Sequence, residues 1–109
     1  MADASKVLAQ ANPLAATLTT LYTVPAATSA VASSLVVANR SATATSFRIS
    51  IAVAGAADSL IQYTHYDVAI EGNETYIATI GVTLATTDVV RCYATLATCT
   101  FNLFGIEIT

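Results

Sequence analysis

The chain has 109 residues, a net charge of −3, 55% apolar residues and only 10% charged ones. That length closes one domain core without staples, and the charge falls well short of the roughly 25% of an ordinary soluble domain, so part of the surface is expected to be covered by further copies or by a partner, the alternative being a monomer coated in uncharged Thr, Ser and Ala. Lys6, Arg40, Arg48 and Arg91 are too scattered to form a basic stripe, which argues against nucleic acid and against anionic membrane surfaces as partners.

Residues 1–16 are Ala-rich, carry Asn12-Pro13 and show no strand alternation. They read as an N-terminal arm, with a short helical turn around Ala4 to Ala11 on helix propensity. The arm is apolar enough to dock, which makes Val7, Leu8, Pro13 and Leu14 candidate interface residues. It lacks a basic stretch followed by an apolar run, so no signal peptide is expected. No window is long and apolar enough for a membrane-spanning helix.

From residue 17 the pattern is β, with turn residues every 8 to 14 positions. Expected strands are 17–24, 28–39, 45–54, 60–70, 75–84, 87–95 and 99–108. The clearest is 45–54, where Phe47, Ile49, Ile51 and Val53 alternate with Arg48, Ser50 and Ala52. "VVANRSATATSFRISIAV" (36–53) reads as two apolar strands joined by a polar turn, and 87–108 as a terminal hairpin. Gly81 marks a bulge or bend. Seven to eight strands without a long helix define an all-β chain: a single antiparallel β-sandwich with Greek-key or jelly-roll connections over 17–109.

Cys92 and Cys99 are too few for a metal site or a disulfide framework. A tight hairpin would set them opposite each other within reach of a disulfide; in a reducing compartment they read as two free, half-buried thiols. His65 is the sole histidine, beside Tyr63, Tyr66 and Asp67. A nucleophile–histidine–carboxylate set would need a Ser or Cys delivered by the fold, and no residue is singled out for that role. His65 reads as a surface or interface histidine bonded to a neighbour. Asp67, Glu71, Glu74 and Asp88 match no calcium loop. No dinucleotide or phosphate-binding motif is present. No catalytic, cofactor or metal site is therefore assigned.

The tyrosines, including Tyr63 and Tyr66, pack or line an interface on one reading and stack on sugars on another. Arg48 alternates away from Phe47 and Ile49, so it points outward. It reads either as an inter-subunit ion-pair partner or as a solubilising charge. Arg40 begins the polar turn, where it can cap carbonyls. Asn39-Arg40-Ser41 and Asn73-Glu74-Thr75 are chance glycosylation sequons in a Thr/Ser-rich chain.

"LYTVPAATSAVASSLVVANRSATATSFRISIAVAGAA", "YDVAI", "GVTLATTDVVRCYA" and the final "FNLFGIEIT" together resemble a family of small virion proteins of tailed bacteriophages. The similarity runs over roughly residues 7–109 in order, with "LYTVPA" and "NRSATATSFRI" its most specific parts. The resemblance implies a β-sandwich structural protein without enzymatic activity, located in the virion and assembled in the host cytoplasm. The implied station is a capsid decoration (cement) protein, homotrimeric, bound to the major capsid protein. A tail, neck or fibre module and a carbohydrate- or receptor-binding module are the alternatives. The family supplies no ligand motif to carry over.

Overall fold

The computed structural model describes residues 2–109, and its regular structure is β with two short 3-10 turns. The strands are β1 (Asp3–Ala11), β2 (Thr19–Thr23), β3 (Ser29–Asn39), β4 (Thr45–Ala52), β5 (Tyr63–Ile70), β6 (Thr75–Leu84), β7 (Val89–Ala94) and β8 (Cys99–Ile108). β1 pairs with β8, β2 with β7, β3 with β6 and β4 with β5, all antiparallel. The chain is thus one long ribbon folded double, with its tip between β4 and β5. Further pairing of β3 with β8 and of β4 with β7 rolls that ribbon into two four-stranded sheets, β1-β8-β3-β6 and β2-β7-β4-β5. This order is a jelly roll, the double Greek key among the sandwich architectures named by the sequence.

The core follows from period-two alternation. Leu35 and Val37 of β3, Phe47 of β4, Cys92 of β7, and Cys99 and Phe101 of β8 are each fully buried. Phe47 and Phe101 meet edge-on across the sheets with ring centroids 6.0 Å apart. Removing a side chain of this kind from water stabilises the fold by about 1.5–3 kcal/mol.

Four sequence expectations are corrected. Residues 3–11 do not form a helical turn or a separate arm: β1 runs along β8 from Asp3↔Ile108 to Ala11↔Phe101. Pairing with an exposed strand edge outweighs the modest helix propensity of Ala, Leu, Lys and Gln. Residues 87–108 are not a hairpin, because β7 and β8 lie in different sheets. The same holds for 36–53, since β3 and β4 also lie in opposite sheets. Cys92 and Cys99 are consequently not cross-strand neighbours; both are free and fully buried, rather than half-buried. Burial pushes the Cys92 thiol up to about 12 and raises that of Cys99 as well.

A line of irregularities crosses the first sheet. The register shifts at Leu8 on β1, at Ser33 on β3 and around Ile80–Gly81 on β6. Bulges bend a sheet and increase its twist, and Gly105 of β8 lies next to two of them, paired with Lys6 and Ala32. A Cβ at Gly105 would lie 2.0 Å from the Val31 carbonyl oxygen and 3.0 Å from Leu8 Cδ1. Gly81 itself has φ +57, in keeping with the bend expected there.

Candidate functional site

Strand β4 ends two residues earlier than expected and β5 begins three residues later. The segment between them, 53–62, turns sharply because Ala54 (φ 53) and Gly55 (φ 70) are left-handed. It is tied down at both ends and in the middle. Asp88 accepts from the Ala54 and Ala85 amides, each at 2.9 Å. Arg91 donates to the carbonyls of Ala56 at 2.9 Å and Gly55 at 3.3 Å. The Gln62 amide donates to the Ala57 carbonyl, and the Tyr63 hydroxyl to Asp58, both at 2.9 Å. Ser50 and Ala52 are fully buried although they alternate away from the core-facing side of β4.

This pinned segment displays what a loop normally avoids. Val53 is 71% exposed, Leu60 78% and Ile61 93%. The backbone anchors hold these apolar side chains outward.

Beside the loop lies a cluster built on Arg48. Its guanidinium donates to both Asp67 oxygens, at 2.7 Å from Nε and 3.3 Å from Nη2. The same group sits 4.1 Å from the Tyr66 ring centre and 4.5 Å from that of Tyr93. Tyr63 meets Tyr66 edge-on at 5.1 Å. The Asp67 hydrogen bond raises the Arg48 pKa further, so its charge is permanent. Tyr and Arg are among the residues most enriched at binding surfaces.

His65 faces the other way, toward the gap between the sheets. Its ring lies 6.1 Å from Phe47; Nδ1 is 2.9 Å from Thr64 Oγ1 and Nε2 is 3.2 Å from Tyr76 Oη. Burial lowers its pKa, so the ring is neutral at pH 7. It lines an apolar cleft of about 240 Å³ with Leu35, Ile49, Ile80, Val82 and Leu103. Neither ring nitrogen contacts a carboxylate; its partners are hydroxyls. Among the described residues no group of three or more His, Cys, Asp and Glu gathers to hold a metal ion.

The structure separates the sequence-derived interface candidates. Tyr63, Tyr66 and Arg48 come together, whereas His65 points inward beside Tyr76. Arg48, read from sequence either as an inter-subunit ion-pair partner or as a solubilising charge, has a carboxylate partner within its own chain, Asp67. Arg40 braces the chain internally, donating to Asn12 Oδ1 at 2.9 Å and to the Ala97 carbonyl at 3.4 Å. Pro13 is buried and offers no interface. Leu8 packs half-buried against the core, while Val7 and Leu14 are exposed. Asn39 is also buried, its amide donating to the Thr43 and Glu71 carbonyls, so that sequon is closed. In the sequence Tyr93 stands only among the tyrosines that could stack on sugars and Asp67 only among the acidic residues near His65, neither as a partner of Arg48, and nothing singles out the loop trio. The available signal was "VAGAADSLI", an apolar stretch where turn residues interrupt the strand pattern.

Against protein-family models, curated proteins and solved structures, the chain finds no match. The class defined by the strand order is an eight-stranded jelly-roll domain, and its surface carries an exposed apolar–aromatic patch.

Proposed function

We propose that this protein is a non-enzymatic virion structural protein, a capsid decoration (cement) protein that binds the major capsid lattice and stabilises the head. The resemblance to small virion proteins of tailed bacteriophages supports the setting. The observation that carries a docking role is the pinned loop, which presents Val53, Leu60 and Ile61 in fixed positions beside the Arg48–Tyr66–Tyr93 stack.

Docking by this surface follows ordinary interface physics. The loop is already ordered, so little conformational entropy is lost on binding. Its three apolar side chains enter recesses on the capsid subunit, and the tyrosines and Arg48 form a rim with hydrogen-bonding capacity. Contacts of this kind carry little charge and are insensitive to salt. Repetition over the lattice converts weak single sites into firm attachment.

The decisive experiment counts copies per purified particle against the major capsid protein and compares wild type with Leu60→Asp and Ile61→Asp. Hundreds of copies in simple ratio to the capsid subunit, lost in both variants while their circular dichroism stays native, are the expected result. A handful of copies moves the protein to the tail, neck or fibres; absence from particles removes the virion reading. Carbohydrate binding is the second reading, favoured by exposed Tyr66, edge-on to half-buried Tyr63 and next to Arg48. It requires host polysaccharide to bind and Tyr66→Ala to abolish that binding.

A further inference from the structure

Each sheet of the sandwich ends in two edge strands: β1 and β6 in one, β2 and β5 in the other. A free edge exposes unpaired backbone groups and recruits another strand unless it is blunted by charge, shortness or irregularity. Three of the edges are blunted. β2 has only 5 residues and a register shift between Thr20 and Tyr22. β1 carries Asp3 and Lys6 and shifts register around Leu8. β5 carries His65 and Asp67, bends where Asp67 adopts φ 51, and loses register twice against β4.

β6 is different. It is 10 residues long, "TYIATIGVTL", without a charge or a proline. From Thr75 to Thr79 it pairs with β3 without a register break, so this stretch is regular. Its outward row is Thr75, Ile77 and Thr79, with Ile77 70% exposed.

We propose that β6 pairs antiparallel with β6 of a second copy of this chain about a two-fold axis through Ile77. This goes beyond the capsid-binding reading and does not depend on it. With the axis there, Ile77 faces its own counterpart, Thr75 faces Thr79 of the second copy, and Tyr76 faces Ala78. Apolar pairs and Thr–Thr pairs are favourable cross-strand neighbours, and Tyr against Ala sets large beside small. The occupant is a second copy because of charge. The protein carries −3 overall, yet neither β6 nor its neighbour β3 contains a charged residue. An identical molecule therefore approaches this edge without bringing a charged side chain of either strand against the other.

The arrangement also closes. Gly81 at φ 57 and the register shift near it end the regular stretch beyond Thr79. Once β6 is used, the remaining edges are the blunted ones. The product is a dimer rather than a fibre, and it replaces the three-fold association implied by the family resemblance.

The test is sedimentation velocity on the full chain, with wild type and Ile77→Lys compared over a concentration series. The expected result is a wild-type dimer and a monomeric Ile77→Lys with unchanged far-ultraviolet circular dichroism. Site-directed crosslinking provides a second readout that survives a folding defect in the lysine variant. Ile77→Cys gives a disulfide-linked dimer under mild oxidation, while Thr83→Cys, exposed on the same strand beyond the bend, gives markedly less. The native cysteines are buried and do not compete. A monomeric or trimeric wild type overturns the proposal. So does a dimer that persists in a folded Ile77→Lys, or one that crosslinks equally at both positions.

Discussion

Arg48 and Asp67 form a forked ion pair across β4 and β5, and the same guanidinium is held between the rings of Tyr66 and Tyr93. Asp67 makes this contact from a left-handed backbone, φ 51, which Asp tolerates better than bulkier residues. The pair fastens an irregular edge strand to its neighbour and shapes the aromatic surface above it.

Arg48→Ala is expected to lower stability by about 1–2 kcal/mol, because it removes a partly exposed ion pair and two ring contacts together. Arg48→Lys recovers less than half, since an ammonium neither forks nor stacks as a guanidinium does. Urea denaturation of the single variants and of the double variant with Asp67→Asn measures the coupling. Additive effects would show that the pair contributes nothing of its own.

Glu107 ties the two sheets together. It accepts from Tyr22 of β2 at 2.5 Å and from Lys6 of β1 at 2.9 Å. The Tyr22 hydrogen bond, followed by that of Lys6, holds its pKa below the usual carboxylate range. A depressed folded pKa means that the unfolded chain binds the proton first. The stabilisation is therefore complete above the unfolded value of about 4.3 and is lost as pH falls through the folded one. Glu107→Gln is expected to flatten this part of the acid limb in a plot of urea midpoint against pH, and an unchanged slope would assign the acid sensitivity elsewhere.

His65 is the only histidine, so its titration can be followed without overlap. Burial lowers its pKa, and the folded state resists protonation. Stability is expected to decline as pH drops from above about 6.5 toward the lowered value, and then to stop changing on this account. Proton NMR of the imidazole should give a midpoint below that of a model peptide. A midpoint at or above the peptide value would mean that the ring is not packed against Phe47 and Tyr76 in solution.

The glycines divide by the reason they are needed. A Cβ at Gly105 or Gly72 would lie 2.0 Å from the Val31 carbonyl oxygen or 2.1 Å from that of Ala42. Gly105→Ala and Gly72→Ala are expected to destabilise by about 3 kcal/mol or more, since backbone must move. Gly81→Ala meets open space, so it costs only the left-handed conformation, about 1–2 kcal/mol. Thermal unfolding of the three variants gives the ranking, and a Gly81 variant as damaged as the other two would contradict it.

The strand content was legible because alternation needs no knowledge of partners. "TSFRISIA" buries Phe47 and Ile49 as its pattern implies, and "TYIATIGVTL" forms β6 over the expected bounds. The Arg48 cluster was half legible. Alternation pointed Arg48 outward, but Asp67 and Tyr93 lie on other strands, at distances in sequence that no local pattern encodes. The loop carrying Val53, Leu60 and Ile61 looks partly like strand in the sequence, because apolar residues near a strand end resemble its continuation.

The sequence by itself determined an all-β chain, the inward face of its main strands, and a surface poor in charge. These are local properties of side-chain period and composition. Only the tertiary structure decided which strands pair. Residues 40–44 and 95–98 read as hairpin turns yet cross from one sheet to the other. A short polar connection serves either purpose, and backbone hydrogen bonds are the same for every strand. Register and order are settled by collective burial of both inner faces, which is why β1 became a strand and β6 was left as the bare edge.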